Sequence, residues 1–209
     1  MELDPEVHEH HHKVGHRWID LALALSALIL SIASITIAIE NDRSMKRLVT
    51  ANSWPYLEMG HGNELDGTPT VHFDVENAGI GPAIIEKFVV TYNGKPVATS
   101  MELLHRCCGT PDNPEAKNLG VAIDLVSGRV LPAREKIEFL RLTRQDSNLG
   151  SWTKLNVERF KVSMAVCYSS VFGEHWITQS GSVKARSVDS CDELQGPAYD
   201  AGILNSPGP

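Results

Sequence analysis

The sequence contains few cysteines, and they lack the spacing of a metal site or a disulfide framework. Its 209 residues include four, Cys107, Cys108, Cys167 and Cys191, without the CxxC pairs of structural zinc sites. This even number leaves the redox compartment open. We interpret the adjacent pair Cys107–Cys108 as small apolar residues at a helix end, with a redox element as the alternative.

The sequence also lacks the motifs of the common enzyme classes. It has no GxSxG elbow, HExxH helix, P-loop or GxGxxG turn after a strand. We therefore expect no catalytic residues, no enzymatic activity and no cofactor. His61, His72, His105 and His175 belong to separate predicted elements, so we predict no metal site from them either. His72 falls on the polar face of a predicted strand, where it should be solvated.

Positive charge is scarce as well. The chain has 19 Lys+Arg against 26 Asp+Glu, a net charge of -7. Proteins that bind nucleic acid need a basic surface to neutralise phosphates, so nucleic acid is excluded as a partner.

One long hydrophobic run is present near the N-terminus. Residues 21–39 (LALALSALILSIASITIAI) carry no charge over 19 positions, and as a helix they would measure about 28 Å, the thickness of a bilayer core. The acidic start and the absence of a cleavage site argue against a signal peptide. We predict a retained transmembrane helix over 18–40, with the lipid bilayer as a partner and Trp18 at one interface.

Small residues recur along this helix at spacings of three and four. They form one stripe, which would let two helices approach closely. The stripe predicts self-association or contact with a partner helix; chance composition is the alternative. Its members are Ala24, Ala27, Ser31, Ser34 and Ala38.

Charges flanking the helix indicate its orientation only by a narrow margin. Lys13 and Arg17 precede it, and Arg43, Lys46 and Arg47 follow it. Three cations against two favour a cytoplasmic domain under the positive-inside rule. The opposite orientation, with the domain in the periplasm, stays open.

The segment before the helix, residues 1–17, is polar and rich in histidine. His8, His10, His11, His12 and His16 could bind zinc, nickel or copper as neutral imidazoles. Without fixed carboxylate or cysteine ligands, we interpret the segment as a solvated tail, with a metal-binding tract as the alternative.

After a linker at 41–53, residues 54–184 have the size of one domain, and the tail 185–209 is predicted to be disordered.

Within the domain, strands are indicated by alternation or β-branched content, with an Asn93-Gly94 hairpin turn and a helix over 101–108 ended by Gly109. A helical turn is expected near 151–157. The expected strands are 54–59, 70–76, 84–92, 95–97, 121–126, 136–142, 160–168 and 175–180. Short turns join them, so the fold class is mostly β: an antiparallel immunoglobulin-like β-sandwich after one transmembrane α-helix.

Two turns are the candidate binding elements. One is Asn77–Ala83, where Gly79, Gly81 and Pro82 redirect the chain. The other is Phe172–Trp176, where Glu174 and Trp176 could present a charge and a ring to a ligand or partner. The alternative is structural: Asn77 bonds its own turn and Trp176 fills the core.

Three stretches resemble a family of uncharacterised bacterial single-pass membrane proteins. They are Ser53–Leu57, then the Asn-x-Gly-x-Gly-Pro-Ala turn with its Phe88 strand and Asn93–Pro96, and Cys167–Trp176. The resemblance implies a short tail, one helix in the bacterial inner membrane and a C-terminal immunoglobulin-like domain. It implies no activity.

The leading hypothesis is a membrane-anchored, non-catalytic interaction module that binds an unknown protein or associates with itself through its helix. The alternative is a membrane-anchored sensor or carrier for a small ligand or metal, using the histidine tail or a pocket near Trp176.

Overall fold

A computed structural model describes residues 17–109 and 120–200. The chain divides into two compact units, residues 1–49 and 50–209, and each is described here by itself. The histidine-rich segment before Arg17 and residues 110–119 and 201–209 lie outside the described residues.

Most of the long helix α1, Arg17–Ala51, lies in the first unit. It is long and apolar enough to span a membrane, and its mean hydropathy reaches 2.4 over the most apolar window. Most of the segment predicted as a linker is therefore helical. Residues 40–51 contain no glycine or proline, and Lys46 pairs with Asp42 one turn earlier at 2.8 Å.

The hydroxyls of Ser31 and Ser34 donate to the carbonyls of Ala27 and Leu30 within the helix, each at 2.8 Å. The small-residue stripe is thus compatible with an isolated helix, and its role in association stays a prediction.

The second unit is built mainly from two antiparallel sheets. Their strands are β1 Leu57–Leu65, β2 Thr68–Asn77, β3 Ala83–Tyr92, β4 Lys95–Val97, β5 Val121–Ile123, β6 Val130–Leu131, β7 Lys136–Thr143, β8 Val162–Ser169, β9 His175–Gln179 and β10 Arg186–Val188. The first sheet has the strand order β1-β2-β7-β5, and the second has the order β10-β9-β8-β3-β4, with β6 pairing β3.

The main core lies between the sheets. Phe88 of β3 meets Phe139 of β7 edge to face, with ring centroids 5.0 Å apart, and Phe73 of β2 and Tyr168 of β8 are also fully buried. The alternation of apolar residues along β2 explains why this strand faces the core, because Val71, Phe73 and Val75 share one face of it.

Two helices cover part of the domain. The first, α2, is Ser100–Cys108, which confirms the predicted helix. Thr99 caps its first turn, and Gly109, in the left-handed conformation at φ 68°, ends the helix. The second, α3, is Leu149–Glu158. Cys107 and Cys108 are joined by a disulfide at the end of α2, so treating them only as small apolar residues was incomplete.

The predicted β3–β4 hairpin is confirmed by the pairing of Tyr92 with Lys95 around Asn93-Gly94. The strand predicted over 160–168 begins later, at Val162. Phe160 lies in a short 3-10 turn before it and is 68% exposed, because the chain has not yet entered the sheet there.

The predicted disorder of 185–209 is wrong for the part of that tail that the structure describes. Residues 186–188 form β10 on β9, and a 3-10 turn follows at Cys191–Glu193. Tyr199 is buried, and its ring packs 5.7 Å from Phe88 and 5.5 Å from Phe139. A polar tail can order when tertiary contacts place a few apolar residues against an existing core, a signal that composition does not carry.

Candidate interaction surface

The turn at Asn77–Ala83 is organised by the buried side chain of Asn77. Its Oδ1 accepts from the backbone N–H groups of Tyr56 and Gly79, and its Nδ2 donates to the carbonyls of Gly81 and Leu131. A side-chain amide offers two acceptor sites and two donors, so its capacity is used. Asn77 holds the turn to the start of β1 and to β6, and these bonds leave none of its polar atoms free for a ligand.

The glycines of this turn allow a close approach of two backbones. A Cβ on Gly79 would overlap the backbone nitrogen of Tyr56, and one on Gly81 would overlap the carbonyl oxygen of Ser53. Pro82 is half-buried and leads into β3. The predicted site residues Gly79, Gly81 and Pro82 therefore shape the corner, and the large apolar side chain that the turn exposes is Ile80, at 54%.

The second predicted turn lies between β8 and β9. The N–H of Ser170 donates to the carbonyl of Glu174 at 2.9 Å, and the Ser170 hydroxyl donates to its carboxylate at 3.3 Å. Glu174 is exposed, whereas Trp176 is half-buried and packs 5.9 Å from the core ring of Tyr168. Of the two residues predicted here, Glu174 is accessible and Trp176 belongs mainly to the core.

The two turns lie at the same end of the domain. Ile84, just after the first turn, pairs with Ser169, just before the second, and also with Val130 of β6. The N–H of Ile80 donates to the carbonyl of Trp54 at 3.1 Å, which fixes the start of the domain at this end too.

Five large apolar side chains are exposed at this end. We call them the entry-end surface, because the chain enters the domain here: Trp54 (46% exposed), Ile80 (54%), Val130 (60%), Val171 (54%) and Phe172 (52%). Loop residues are usually polar, so exposed apolar residues on two adjoining turns make this surface a candidate interaction site. Sequence reasoning identified both turns but not these side chains. The adjacent Val171 and Phe172 between Ser170 and Gly173 were the available signal.

A close polar contact lies beside this surface on the second sheet. The Nε2 of His175 is 3.1 Å from the carboxylate of Glu86, and both side chains are partly exposed. The pair adds a polar margin next to the apolar turns.

A cleft of about 380 Å³ adjoins this surface at Val130 and runs along β5, β6 and β7. Its cations are paired with its own carboxylates: Arg129 with Asp124 at 2.9 Å, and Lys136 and Arg141 with Glu138 at 3.5 and 3.4 Å. The charges of this cleft therefore balance within the domain.

His72 and Asp74 occupy an unexpected position on the outer face of the first sheet. Each is only 9% exposed, because Gly60 and Gly62 on β1 lie opposite them and leave room for their side chains to lie against the strand. The prediction that His72 is solvated is wrong for this reason. Its Nε2 is 3.7 Å from Asp74 Oδ1, and burial raises the pKa of the Asp74 carboxyl.

His61 faces the other side of β1, between the rings of Phe73 and Phe160. Its Nδ1 is buried and has no hydrogen-bond partner among the described residues. Burial, followed by the charge of Arg159, lowers the pKa of this imidazole. An imidazole placed between two phenyl rings acts as a packing element here.

Within residues 17–109 and 120–200, no group of three or more His, Cys, Asp or Glu side chains is placed to hold a metal ion. The alternative prediction of a metal-binding histidine tract falls on residues outside the described part of the chain.

Comparisons of this chain with models of known protein families, with curated proteins and with solved structures found no match. Fold and site together define a class: one helix able to span a membrane, followed by a domain of mostly antiparallel sheets with apolar turns at its entry end.

Proposed function

We propose that this chain is a membrane-anchored, non-catalytic interaction module that binds a protein partner through the entry-end surface. The observation that carries the proposal is the position of Ile80, Val171 and Phe172, exposed on two turns that adjoin at one end of the domain. Interfaces draw their binding energy from a few aromatic and aliphatic anchors of this kind.

The frame behind these turns supports a rigid binding surface. Asn77 closes one turn with four hydrogen bonds, and Ser170 closes the other through its N–H and its hydroxyl. Little conformational freedom is then lost when a partner binds, which favours affinity.

The proposal includes an immunoglobulin-like arrangement of the sheets. The order β1-β2-β7-β5 corresponds to strands A, B, E and D, and β9-β8-β3-β4 corresponds to G, F, C and C′. In that arrangement the two turns are the B–C and F–G loops, which carry the partner-binding residues of variable domains. The resemblance of three sequence stretches to bacterial single-pass proteins supports the same architecture in a bacterial inner membrane.

Position-specific photo-crosslinking tests the proposal in the full chain, expressed in the membrane. Phe172 is replaced by p-benzoylphenylalanine, and Phe160 serves as the matched control. Phe160 is an exposed phenylalanine that precedes β8, whereas Phe172 follows it, so the two lie at opposite ends of that strand.

We expect a discrete crosslinked protein from position 172 but not from position 160. The purified partner should then bind Phe172→Ser about tenfold or more weakly, as for loss of an aromatic anchor, and Phe160→Ser normally. Equal products from both positions, products that contain only lipid, or an adduct of two copies of this chain would each overturn a protein partner at this surface.

A further inference from the structure

Two cysteines that are distant in sequence meet on the outer face of the second sheet. Cys167 of β8 and Cys191 of the 3-10 turn after β10 are 24 residues apart and form a disulfide, with their Cα atoms 5.5 Å apart. Cys167 is fully buried and Cys191 is 9% exposed. This Cα separation is the usual one for a disulfide, so the fold presents the two thiols to each other without moving the backbone.

The disulfide fixes the C-terminal segment between β10 and Tyr199. Val89 and Ile177 on the sheet, and Leu194 on the segment, pack with the two cysteines. A polar contact from the Lys87 ammonium to the Leu194 carbonyl, at 2.7 Å, reinforces this attachment. Further along the segment, Tyr199 packs into the main core.

We infer that Cys167–Cys191 is a structural disulfide formed after export, and that the β domain therefore lies on the oxidising, outer side of the membrane. All four cysteines lie in the described part of the chain, and none of them is free. Cytosolic thiols are kept reduced, whereas envelope and extracellular proteins form lasting disulfides.

The oxidation of the two thiols needs an electron acceptor, and a protein disulfide of one chemical class can supply it. The two thiols lose two protons and two electrons as the S–S bond forms, and the disulfide of an envelope thiol–disulfide oxidoreductase is reduced to its dithiol. The reaction needs both cysteines in an oxidising compartment, but it does not involve the entry-end surface. The inference is therefore independent of the proposed function.

The flanking charges oppose this orientation only weakly. Three cations follow the helix and two precede it, and a margin of one residue is within the range that other signals override. A buried pair placed to bond is a more specific indication of the compartment than that margin.

The test counts free thiols in the full chain, expressed with α1 in a bacterial host. Cells are quenched in acid and the protein is denatured and treated with a polymer-linked maleimide, with or without prior reduction. The variant C107S/C108S leaves only Cys167 and Cys191 to react. We expect no added mass without reduction and two added labels after it, whereas two labels without reduction would overturn the inference.

A topology reporter gives an independent readout. It is fused after Pro209, because fusion before Tyr199 would remove a core residue. A periplasm-active reporter should give signal and a cytoplasm-active one should not, in the parent chain and in C167A/C191A alike. The reverse pattern in the parent would place the domain in the cytoplasm and overturn the inference, even if the variant is less stable.

Discussion

The side-chain amide of Asn77 shows how one residue can build a surface without belonging to it. Its four hydrogen bonds join the start of β1, the turn before β3 and strand β6. The exposed neighbour Ile80 depends on that frame, because its N–H bonds the carbonyl of Trp54 within the same corner. Asn77 acts as a positioning residue for the entry-end surface.

Replacing Asn77 by Ala should destabilise the domain by about 2–4 kcal/mol, since it leaves buried backbone groups without partners. Urea unfolding of the full chain in detergent measures the change. The control is Asn63→Ala at an exposed position of β1, which should stay within about 0.5 kcal/mol of the parent. Equal stability of the two variants would mean that water replaces the bonds of Asn77.

The sequence predicted which residues shape the backbone of these turns, but it did not predict which of their side chains are exposed. The spacing of Asn77, Gly79 and Gly81 is a local signal, since an asparagine that bonds its own turn and glycines that allow close approach act within a few residues. The exposure of Phe172 is a tertiary property. It depends on whether another element covers the turn, and the adjacent apolar pair Val171–Phe172 does not by itself determine that.

At the scale of elements, hydrophobic periodicity and capping residues correctly predicted the strands, turns and helices that depend on local sequence. The alternation in β2, the Asn93-Gly94 turn and the Thr99 and Gly109 caps of α2 all correspond to observed elements. Strands β6 and β10, with two and three residues, are too short to show a period. They exist because neighbouring strands offer open edges.

Tyr199 is the clearest tertiary addition, because it comes from a segment that composition alone assigns to disorder. Its N–H donates to the carbonyl of Phe88 at 2.7 Å, and its hydroxyl pairs with that of Ser100 at 2.7 Å. Burial raises the pKa of this phenol, as expected for a ring enclosed between two sheets.

Tyr199→Ala should therefore cost about 3–5 kcal/mol, the usual cost of removing a core aromatic ring. Tyr199→Phe keeps the ring and loses only the bond to Ser100, so it should cost about 1 kcal/mol. Chemical unfolding of the full-length variants separates the two values. If both variants were equally stable, the ring would not fill the core and the segment would be a loosely attached tail.

At the scale of the whole molecule, the chain joins two units that place their apolar residues differently. The side chains of α1 carry no charge from Leu21 to Ile39 and have no buried member, whereas the second unit places its large apolar residues between two sheets. A helix of this length and composition is able to span a membrane. We therefore expect membrane attachment to depend on the first unit alone.

Washing membranes with alkaline carbonate tests this dependence. The full chain should remain with the membrane, and a chain that starts at Thr50 should move to the supernatant. Two charged substitutions near the middle of the span, Leu30→Arg with Ile32→Arg, should each add about 2.5–3.5 kcal/mol to the cost of insertion and release the chain. The matched substitution Ser44→Arg, beyond the apolar run, should leave it bound. Retention of the chain that starts at Thr50 would instead mean that the domain itself binds lipid, and the exposed Trp54 and Phe172 would then be the residues to examine first.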